Sequence, residues 1–292
     1  MVSLIPRMAP AAVVLLAAAC SLQFSESDPY DEAFDPGFFA GVRIAGVEGD
    51  IDLRAVESGD VLIRGTRRAL GGTRRDARDN LEHAELAARD DGDVLELAFD
   101  PPLSKLGLVD LTLDRVCDLP PRMDIEICVD RGRLSTRGLR GEISLETGEG
   151  NIVVEEGGEL PVSLRTDDGE VAARVRGALE VRATRRLDLE IEGTGDPPLE
   201  VESRGGAVLV ALEPQNFRLT CYSGGGAITV AAELEAEIRE LDDGAVMVSS
   251  GEADGARTGR IRSGGGDIDI DVLPARHSSL NEPILGSASP LQ

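Results

Sequence analysis

From about residue 130 onward, the hydrophobic and polar positions of the chain follow one short recurring pattern. A strand-like run ends in Ser or Thr, a glycine-rich turn follows, and a second run alternates aliphatic with polar residues. In the last copy, Ile268 and Ile270 alternate with Asp267 and Asp269. A period of two directs alternate side chains to opposite faces of a β-strand, so we expect these two aspartates to be exposed. The aliphatic positions expected to be buried are Ile228, Val230, Ile268 and Ile270.

The Ser and Thr positions that end these runs define the length of the repeat. They are Thr147, Thr166, Ser203, Ser223 and Ser263, and the intervals between them are 19, 37, 20 and 40 residues. The long intervals are about twice the short ones, so degenerate copies are expected near Thr184 and near Asp243-Gly244. A two-strand unit of this length cannot close its own core and must stack on its neighbours. The pattern predicts an all-β fold, either a single-stranded β-solenoid or a related stacked β-sheet repeat of about 20 residues per unit.

The N-terminal half is less regular but also consists of short strand patterns. Strands are predicted over 42–53, 59–63, 84–89, 94–98, 108–117 and 123–129, and one short helix over 73–81. A turn at Asp91-Gly92 joins two of these strands. We assign residues 37–273 to a single β-repeat domain. Pro274 ends the last strand, and residues 274–292 are predicted to be a disordered tail.

The first twenty residues look like an export signal that ends at a cysteine. Arg7 precedes an apolar run of about twelve residues, which is too short to span a bilayer as a mature helix. Residues 1–19 are therefore predicted to be a signal peptide. The sequence Leu16-Ala-Ala-Ala-Cys20 resembles a bacterial lipobox, in which Cys20 becomes the lipidated (palmitate-type) N-terminus. An ordinary secretory signal with a coincidental cysteine is the alternative.

Residues 20–36 are interpreted as the lipidated cysteine followed by a flexible acidic tether. A lipoprotein cysteine carries two or three acyl chains, which anchor far more firmly than one. Ser21 follows the cysteine, and the lipobox resemblance then implies the outer membrane, with the protein periplasmic or surface-exposed. Membrane lipid is accordingly the one partner that the sequence names.

Composition excludes several classes of function. The formal net charge is −24, which opposes nucleic-acid binding because contacts with phosphate supply most of that affinity. Nucleotide-binding glycine motifs and nucleophile elbows are missing from the sequence, since its glycines follow strands and do not open helices. No cofactor is expected. The sequence does lead us to expect a protein or glycan partner, whose identity it does not specify.

Three further cysteines follow Cys20. Cys117 and Cys128 lie on either side of Pro120-Pro121, so a hairpin there would place them opposite each other. In an oxidising compartment, this makes a Cys117–Cys128 disulfide the expected pair. A one-residue bulge is needed for both thiols to share a face. Cys221 is interpreted as a small buried hydrophobic residue.

The succession of elements resembles a known family. Val61-Leu-Ile-Arg-Gly-Thr66 leads into the predicted helix, the turn at Asp91-Gly92 follows, and Ser-Gly-Gly-Gly-Asp-Ile turns close the domain. Over roughly residues 38–273 the chain is similar to the bacterial "putative adhesin" domain family. The resemblance implies an adhesin-head-like β repeat with no established catalytic residues.

The carboxylates of the last copy are the remaining candidates for chemistry. Gly264-Gly-Gly-Asp267 with Asp269 partly matches the calcium repeat of β-roll toxins, but the period of about 20 differs from a nonapeptide, so calcium is a weak candidate. The same carboxylates lie about 7 Å apart along a strand, which overlaps the spacing of inverting glycosidases. An exposed strand lacks the desolvated cleft that raises the pKa of a general acid.

The sequence therefore predicts a non-enzymatic envelope lipoprotein, a membrane-tethered scaffold or binding module for which adhesion is one role. Two alternatives remain open. One is a regulatory component of an envelope-stress response that binds a membrane partner. The other is a polysaccharide-acting β-helix enzyme.

Overall fold

The computed structural model describes residues 24–35, 39–57, 60–83, 85–100, 111–192, 198–213, 217–241, 244–251 and 256–273. Their strands form two large sheets with an aliphatic core between them. Sheet A contains β1 (Phe24–Phe34), β3 (Ile51–Ala55), β4 (Val61–Gly71), β7 (Leu111–Leu119), β9 (Leu134–Arg137), β11 (Ile152–Glu155), β13 (Val171–Val175), β15 (Leu187–Ile191), β17 (Val208–Leu212), β19 (Ile228–Val230) and β23 (Ile268–Val272).

Sheet B contains β2 (Gly41–Val47), β5 (Glu85–Asp91), β6 (Val94–Asp100), β8 (Asp124–Arg131), β10 (Ile143–Glu149), β12 (Val162–Asp168), β14 (Leu179–Ala183), β16 (Leu199–Ser203), β18 (Phe217–Ser223), β20 (Glu237–Glu240), β21 (Val246–Ser250) and β22 (Arg257–Ser263). The helix α1 spans Arg74–His83, and a 3-10 turn spans Ala232–Leu234. The fold is thus mostly β, as the sequence predicts.

From β8 to β17 the chain alternates between the two sheets. We call one strand of sheet B and the following strand of sheet A a coil. Each strand pairs in parallel with the equivalent strand of the next coil, so that Leu145 of β10 lies in register with Ile127 of β8 and with Leu164 of β12. The β14–β15 coil is the degenerate copy expected near Thr184, with Ala183 in register with Ser203. The predicted stacking of strands is confirmed.

The order of stacking at the C-terminal end differs from the order in the sequence. The last coil, β22–β23, lies between the β16–β17 and β18–β19 coils. Ile261 is in register with Val201 on one side and Cys221 on the other, and Ile268 is in register with Val208 and Ile228. The final segment of the chain is therefore inserted between two earlier coils.

The N-terminal end shows the same inversion. The first coil, β2–β3, pairs with β8–β9, while β6 and β7 pair on its outer side. Leu53, for example, is in register with Thr136 of β9 and Cys117 of β7. At the N-terminal end of the stack, β6 and β7 come later in the chain than the β2–β3 coil that they cover. At the C-terminal end, the β18–β19 coil comes earlier in the chain than the β22–β23 coil that it covers.

Antiparallel strands follow the outermost coils at both ends. At the C-terminal end, β21 pairs antiparallel with β18 and with β20. The second degenerate copy, expected near Asp243-Gly244, is therefore not a stacked unit: that interpretation is wrong. The left-handed conformation of Gly244 belongs instead to the turn of the β20–β21 hairpin. At the N-terminal end, β5 and β6 form the hairpin predicted at Asp91-Gly92.

The prediction of a flexible tether over residues 20–36 is wrong for most of that segment. Phe24–Phe34 is an edge strand that pairs antiparallel with β4. Acidic positions of one strand lie opposite basic positions of the other: Asp28 is in register with Arg67, and Asp31 with Arg64. An edge strand also tolerates Pro29, which has no backbone N–H to donate. Opposite charges at facing positions favour the pairing of two strands, and β4 gives an ordered partner to a segment whose composition suggested disorder.

The predicted helix over 73–81 is confirmed as α1. Thr73 precedes it, and its hydroxyl accepts the backbone N–H of Asp76 at 3.1 Å. The Asp76 carboxylate in turn accepts the backbone N–H of Thr73 at 3.0 Å. This reciprocal pair is a capping box, which satisfies two N–H groups that a helix start leaves without partners.

The inner faces of the sheets follow the predicted alternation. Ile268 and Ile270 are buried, and Asp267 is exposed, as expected, whereas Asp269 is half-buried. Ile228 and Val230 are also only half-buried, against the expectation. The reason is their place in β19, the edge strand of sheet A, which has a neighbouring strand on one side only.

The hydroxyls that mark the repeat hold each turn together. The Ser263 hydroxyl oxygen lies 2.8 Å from the carbonyl oxygen of Gly266 and 3.1 Å from that of Gly206 in the adjacent coil. It also accepts the backbone N–H of Gly266 at 2.8 Å. Thr166 donates in the same way to Gly150 at 2.8 Å. The Ser or Thr of each copy therefore satisfies buried backbone groups where the chain leaves sheet B.

Candidate functional site

The outer faces of both sheets carry rows of polar side chains that run across the coils. Strands in parallel register place equivalent positions about 4.8 Å apart. In sheet A, Arg174 is in register with Glu190, and the two side chains form an ion pair. In sheet B, Arg165 lies in register with Glu146, with their charged atoms 3.5 Å apart. The outer surface is thus a lattice of fixed charges.

One concave region lies on the outer face of sheet A near its N-terminal end. We call it the sheet A groove. Its volume is about 500 Å³, and it is lined by Asp50, Ile51, Asp52, Arg64, Gly65, Arg133, Ser135, Thr136, Arg137, Val153 and Glu155. In the order of sheet A, β4 lies four strands away from β11. Because Gly65 of β4 and Val153 of β11 line the same groove, the sheet curves around it.

Most charges in the sheet A groove have partners. The Arg137 guanidinium donates to the Glu155 carboxylate at 2.7 Å, and this hydrogen bond, with the negative charge of Glu155, raises the pKa of Arg137. The Ser135 hydroxyl donates to the Asp52 carboxylate at 3.1 Å. Arg64 forms an ion pair with Asp118 just outside the groove. These contacts hold the polar side chains of the wall in fixed positions.

Arg133 is different from the other groove arginines. Its backbone N–H donates to the Asp50 carboxylate at 2.8 Å. Its guanidinium is exposed and makes no ion pair or side-chain hydrogen bond with any residue in the described ranges. Val153 points outward yet is 4% exposed, so it provides an apolar floor under this charged wall. An apolar floor with a few fixed polar groups is the usual composition of a ligand site.

The three aspartates of the last copy do not converge on one point. A carboxylate oxygen of Asp267 accepts the backbone N–H of Ala227 at 2.7 Å, and Asp271 accepts the backbone N–H of Val272 at 2.7 Å. Asp269 is in register with Leu209 and Thr229. Over the described ranges, no group of three or more His, Cys, Asp or Glu residues is arranged to hold a metal ion. Asp267 has a structural task, which the calcium interpretation did not foresee.

The hairpin expected around Pro120-Pro121 does not form. Cys117 lies in β7 of sheet A, and Cys128 lies in β8 of sheet B. Cys117 is buried, whereas Cys128 is exposed on the outer face of its sheet. The chain crosses between the sheets at the two prolines, so the thiols are not opposed, and the structure has no bond between them. The bulge invoked to align them is absent because the two strands are not neighbours.

Cys221 is buried, as the sequence suggested, and its burial raises the pKa of the thiol to about 12. Cys20 lies outside the described residues, as do the tail from 274 and the signal. No helix within the described ranges is both long enough and apolar enough to cross a membrane.

Sequence reasoning missed the arginines of the sheet A groove. Arg64 and Arg133 are 69 positions apart in the chain and line the same groove because sheet A curves. A local motif cannot carry such a signal. The sequence does contain the charges, but not the strand order that brings them together.

The chain matches no protein-family model and no curated protein sequence. Among solved structures, it is similar to a "putative cell adhesion protein" from Clostridium sporogenes, with 14% identity, a TM-score of 0.36, and coverage of 85% of this chain and 100% of that one. It is also similar to a "putative adhesin" from Bacteroides fragilis, with 13% identity, a TM-score of 0.34, and coverage of 83% and 97%. A third, from Parabacteroides distasonis, has 8% identity, a TM-score of 0.37, and the same coverage. The resemblance expected from the strand and turn pattern is thus found among structures of that description.

Proposed function

We propose that this chain is a non-enzymatic binding module of the cell envelope, and that its stacked coils form a β-solenoid that acts as a rigid scaffold. The observation that carries the proposal is the sheet A groove. Its wall holds one guanidinium, that of Arg133, without a partner among the described residues, next to ion-paired neighbours and an apolar floor. Such an arrangement suits recognition of a polar ligand, and adhesion through surface glycans is the role that we propose for it.

The scaffold supports this role by being stiff. Each coil shares backbone hydrogen bonds with two neighbours and buries its inner face in one continuous aliphatic core. A residue such as Leu189, fully buried, contributes roughly 1.5–3 kcal/mol through burial of its side chain. Sites built on rigid strands keep their geometry better than sites on loops.

We further propose that Cys20 anchors the module to the membrane. The support is the sequence Leu16-Ala-Ala-Ala-Cys20 after an apolar run. Wild-type protein should partition into detergent, and Cys20→Ser should be soluble or unprocessed. Intact-mass measurement of a mature N-terminus elsewhere, without acyl groups, would contradict the anchor.

The binding proposal is tested with the full chain on a glycan array. We expect wild type to bind a defined subset of glycans, and Arg133→Glu to lose at least tenfold in affinity for them. The matched control is Arg122→Glu, which makes the same charge change at an exposed position outside the groove and should retain binding within twofold. Thermal unfolding of both variants shows whether the fold is kept.

Other outcomes discriminate the alternatives. Turnover of a polysaccharide that is lost in Asp269→Asn would establish an enzyme and overturn the proposal. Specific capture of a membrane protein, with no glycan bound, would favour the regulatory role. Equal loss in Arg133→Glu and Arg122→Glu would remove the sheet A groove from the proposal.

A further inference from the structure

A second groove lies on the outer face of sheet B, near the C-terminal end of the stack. We call it the Arg–Tyr groove, and its volume is about 320 Å³. It is lined by Thr220 and Tyr222 of β18, by Ala245, and by Arg260 and Arg262 of β22. It lies in the other sheet from the sheet A groove and shares none of its residues.

The pairing of β22 with β18 creates this groove. Because β22 pairs in parallel with β18, Arg262 is in register with Tyr222, and Arg260 with Thr220. Two residues apart on one strand, the arginines are spaced about 7 Å along it. Had β20 and β21 stacked as a further coil between β18–β19 and β22–β23, β22 would not lie beside β18, and the pairing of arginine with tyrosine would be absent.

Neither arginine has an ionic partner among the residues that the structure describes. Both are exposed, and within the described ranges neither guanidinium makes an ion pair or a hydrogen bond. On the same face, the Arg182 guanidinium lies 3.0 Å from the Glu180 carboxylate, and Arg165 is also ion-paired. In a chain of net charge −24, two adjacent cations with no partner in the described part of the structure form a local positive site that favours an anion.

Two carboxylates border the groove on its other side. Glu200 and Glu202 of β16 lie in register with Arg260 and Arg262, but form no ion pair with either in the described structure. They are exposed, so an incoming anion would feel their repulsion as well as the attraction of the arginines. Removing one of these carboxylates should therefore strengthen the binding of an anion.

Tyr222 adds an aromatic wall. It is 45% exposed and is one of only two tyrosines in the chain. An exposed tyrosine ring offers an apolar face with a polar tip, which suits the face of a sugar ring. Guanidinium groups bind carboxylates through two parallel hydrogen bonds, a geometry that lysine does not provide. The Thr220 hydroxyl at the floor can both donate and accept a hydrogen bond.

We propose that the Arg–Tyr groove binds a carboxylate-bearing sugar of an acidic polysaccharide, with Arg260 and Arg262 on the carboxylate and Tyr222 against the ring. The proposal rests on the chain being a binding module and names one ligand class for it. A volume of about 320 Å³ lies near the lower end of ligand pockets and suits a single sugar unit. Duplex DNA carries one negative charge per roughly 1.7 Å of its axis. The acidic surface around the groove would repel it, so DNA is a poorer match.

The test uses the full chain in detergent with trigalacturonate as the probe and neutral galactotriose as its uncharged counterpart. We expect trigalacturonate to bind and galactotriose to bind at least tenfold more weakly. Arg260→Gln with Arg262→Gln should weaken trigalacturonate binding at least tenfold, and Tyr222→Ser several-fold. Glu202→Gln should strengthen it, an effect that a merely structural role would not produce.

Arg165→Gln with Arg182→Gln is the matched control, since it removes two positive charges from the same face but outside the Arg–Tyr groove. It should keep trigalacturonate binding within twofold. Equal loss in both double variants, or equal binding of the two trisaccharides, would overturn the proposal. So would equally tight, Arg260-dependent binding of inorganic phosphate or of vesicles containing anionic phospholipid. If Arg133→Glu loses neutral glycans while trigalacturonate is not bound, the binding function stands and this inference fails.

Discussion

Ala227 donates its backbone N–H to the carboxylate of Asp267 at 2.7 Å, although 40 residues separate them in the chain. The backbone N–H of Ile268 returns a hydrogen bond to the carbonyl of Ala227 at 2.8 Å. Together these bonds join the inserted last coil to the coil that closes the C-terminal end. The aspartate that ends the glycine turn therefore fixes the stacking of two coils.

Replacing Asp267 by Ala should remove this link. A side-chain hydrogen bond to a backbone N–H contributes about 1–2 kcal/mol, so Asp267→Ala should lower the free energy of unfolding by that amount, and Asp267→Asn should restore most of it. The measurement is urea unfolding at neutral pH. Asp269→Ala is the control, and we expect a smaller loss there. Calcium should leave the unfolding midpoint of wild type unchanged. If calcium raises that midpoint, and the increase depends on Asp267 and Asp269, these residues form a calcium site.

Adjacent glycines in the same turn should respond in opposite ways to a methyl group. A Cβ on Gly264 would overlap the carbonyl oxygen of Arg204 in the neighbouring coil, whereas a Cβ on Gly265 would have nothing within 4 Å. Gly264→Ala should therefore destabilise the protein by about 1–3 kcal/mol, because the coils must move apart. Gly265→Ala should be close to neutral. Comparable losses of thermal stability in the two variants would show that the turns do not stack as closely as described.

The cysteines should differ in their reaction with a neutral alkylating reagent. Cys128 is exposed, and desolvation together with the nearby Glu146 raises the pKa of its thiol, so it should react more slowly than a peptide thiol but measurably. Cys117 and Cys221 are buried and should react only on unfolding. Peptide mapping of the alkylated native protein identifies the site, and Cys128→Ser should abolish labelling of the folded domain. A peptide linked through Cys117 and Cys128 would contradict the strand assignment.

Asp188 should make stability depend on pH. It lies in register between Ala172 and Leu209 on the outer face of sheet A, and burial raises the pKa of its carboxyl above the ordinary value of 3.8, although Arg186 opposes the shift. Between the pKa of this carboxyl in the unfolded chain and its higher pKa in the folded protein, the folded state binds more protons than the unfolded state. Stability therefore falls as the pH rises through that interval. Asp188→Asn lacks this titration.

The free energy of unfolding of Asp188→Asn, relative to wild type, should therefore increase as the pH rises through that interval. Urea unfolding at a series of pH values measures it. A wild-type stability that rises over the same interval only when Asp188 is present would reverse the sign and contradict the assignment.

Much of the local structure follows from the sequence alone. Alternation around Ile268 and Ile270 predicts a half-buried strand, and the hydroxyl of Ser263 before three glycines predicts the turn. The helix is predicted to start at residue 73, where the structure has the capping box of Thr73 and Asp76. These features depend on side chains within a few positions of one another, whose preferences act before any distant contact forms.

The pairing of strands was decided only by the tertiary structure. All coils present the same backbone donors and acceptors and similar aliphatic inner faces, so β22 could satisfy its hydrogen bonds beside several different strands. Its place between β16 and β18 depends on how the ends of the stack close, with a hairpin packed outside each terminal coil. Within the stacked repeats, the sequence determined where the strands and turns lie and which face of each strand is buried. Only the folded chain determined that Cys117 and Cys128 lie in different sheets, and that Arg262 lies beside Tyr222, because those neighbours come from strand order and not from any local preference.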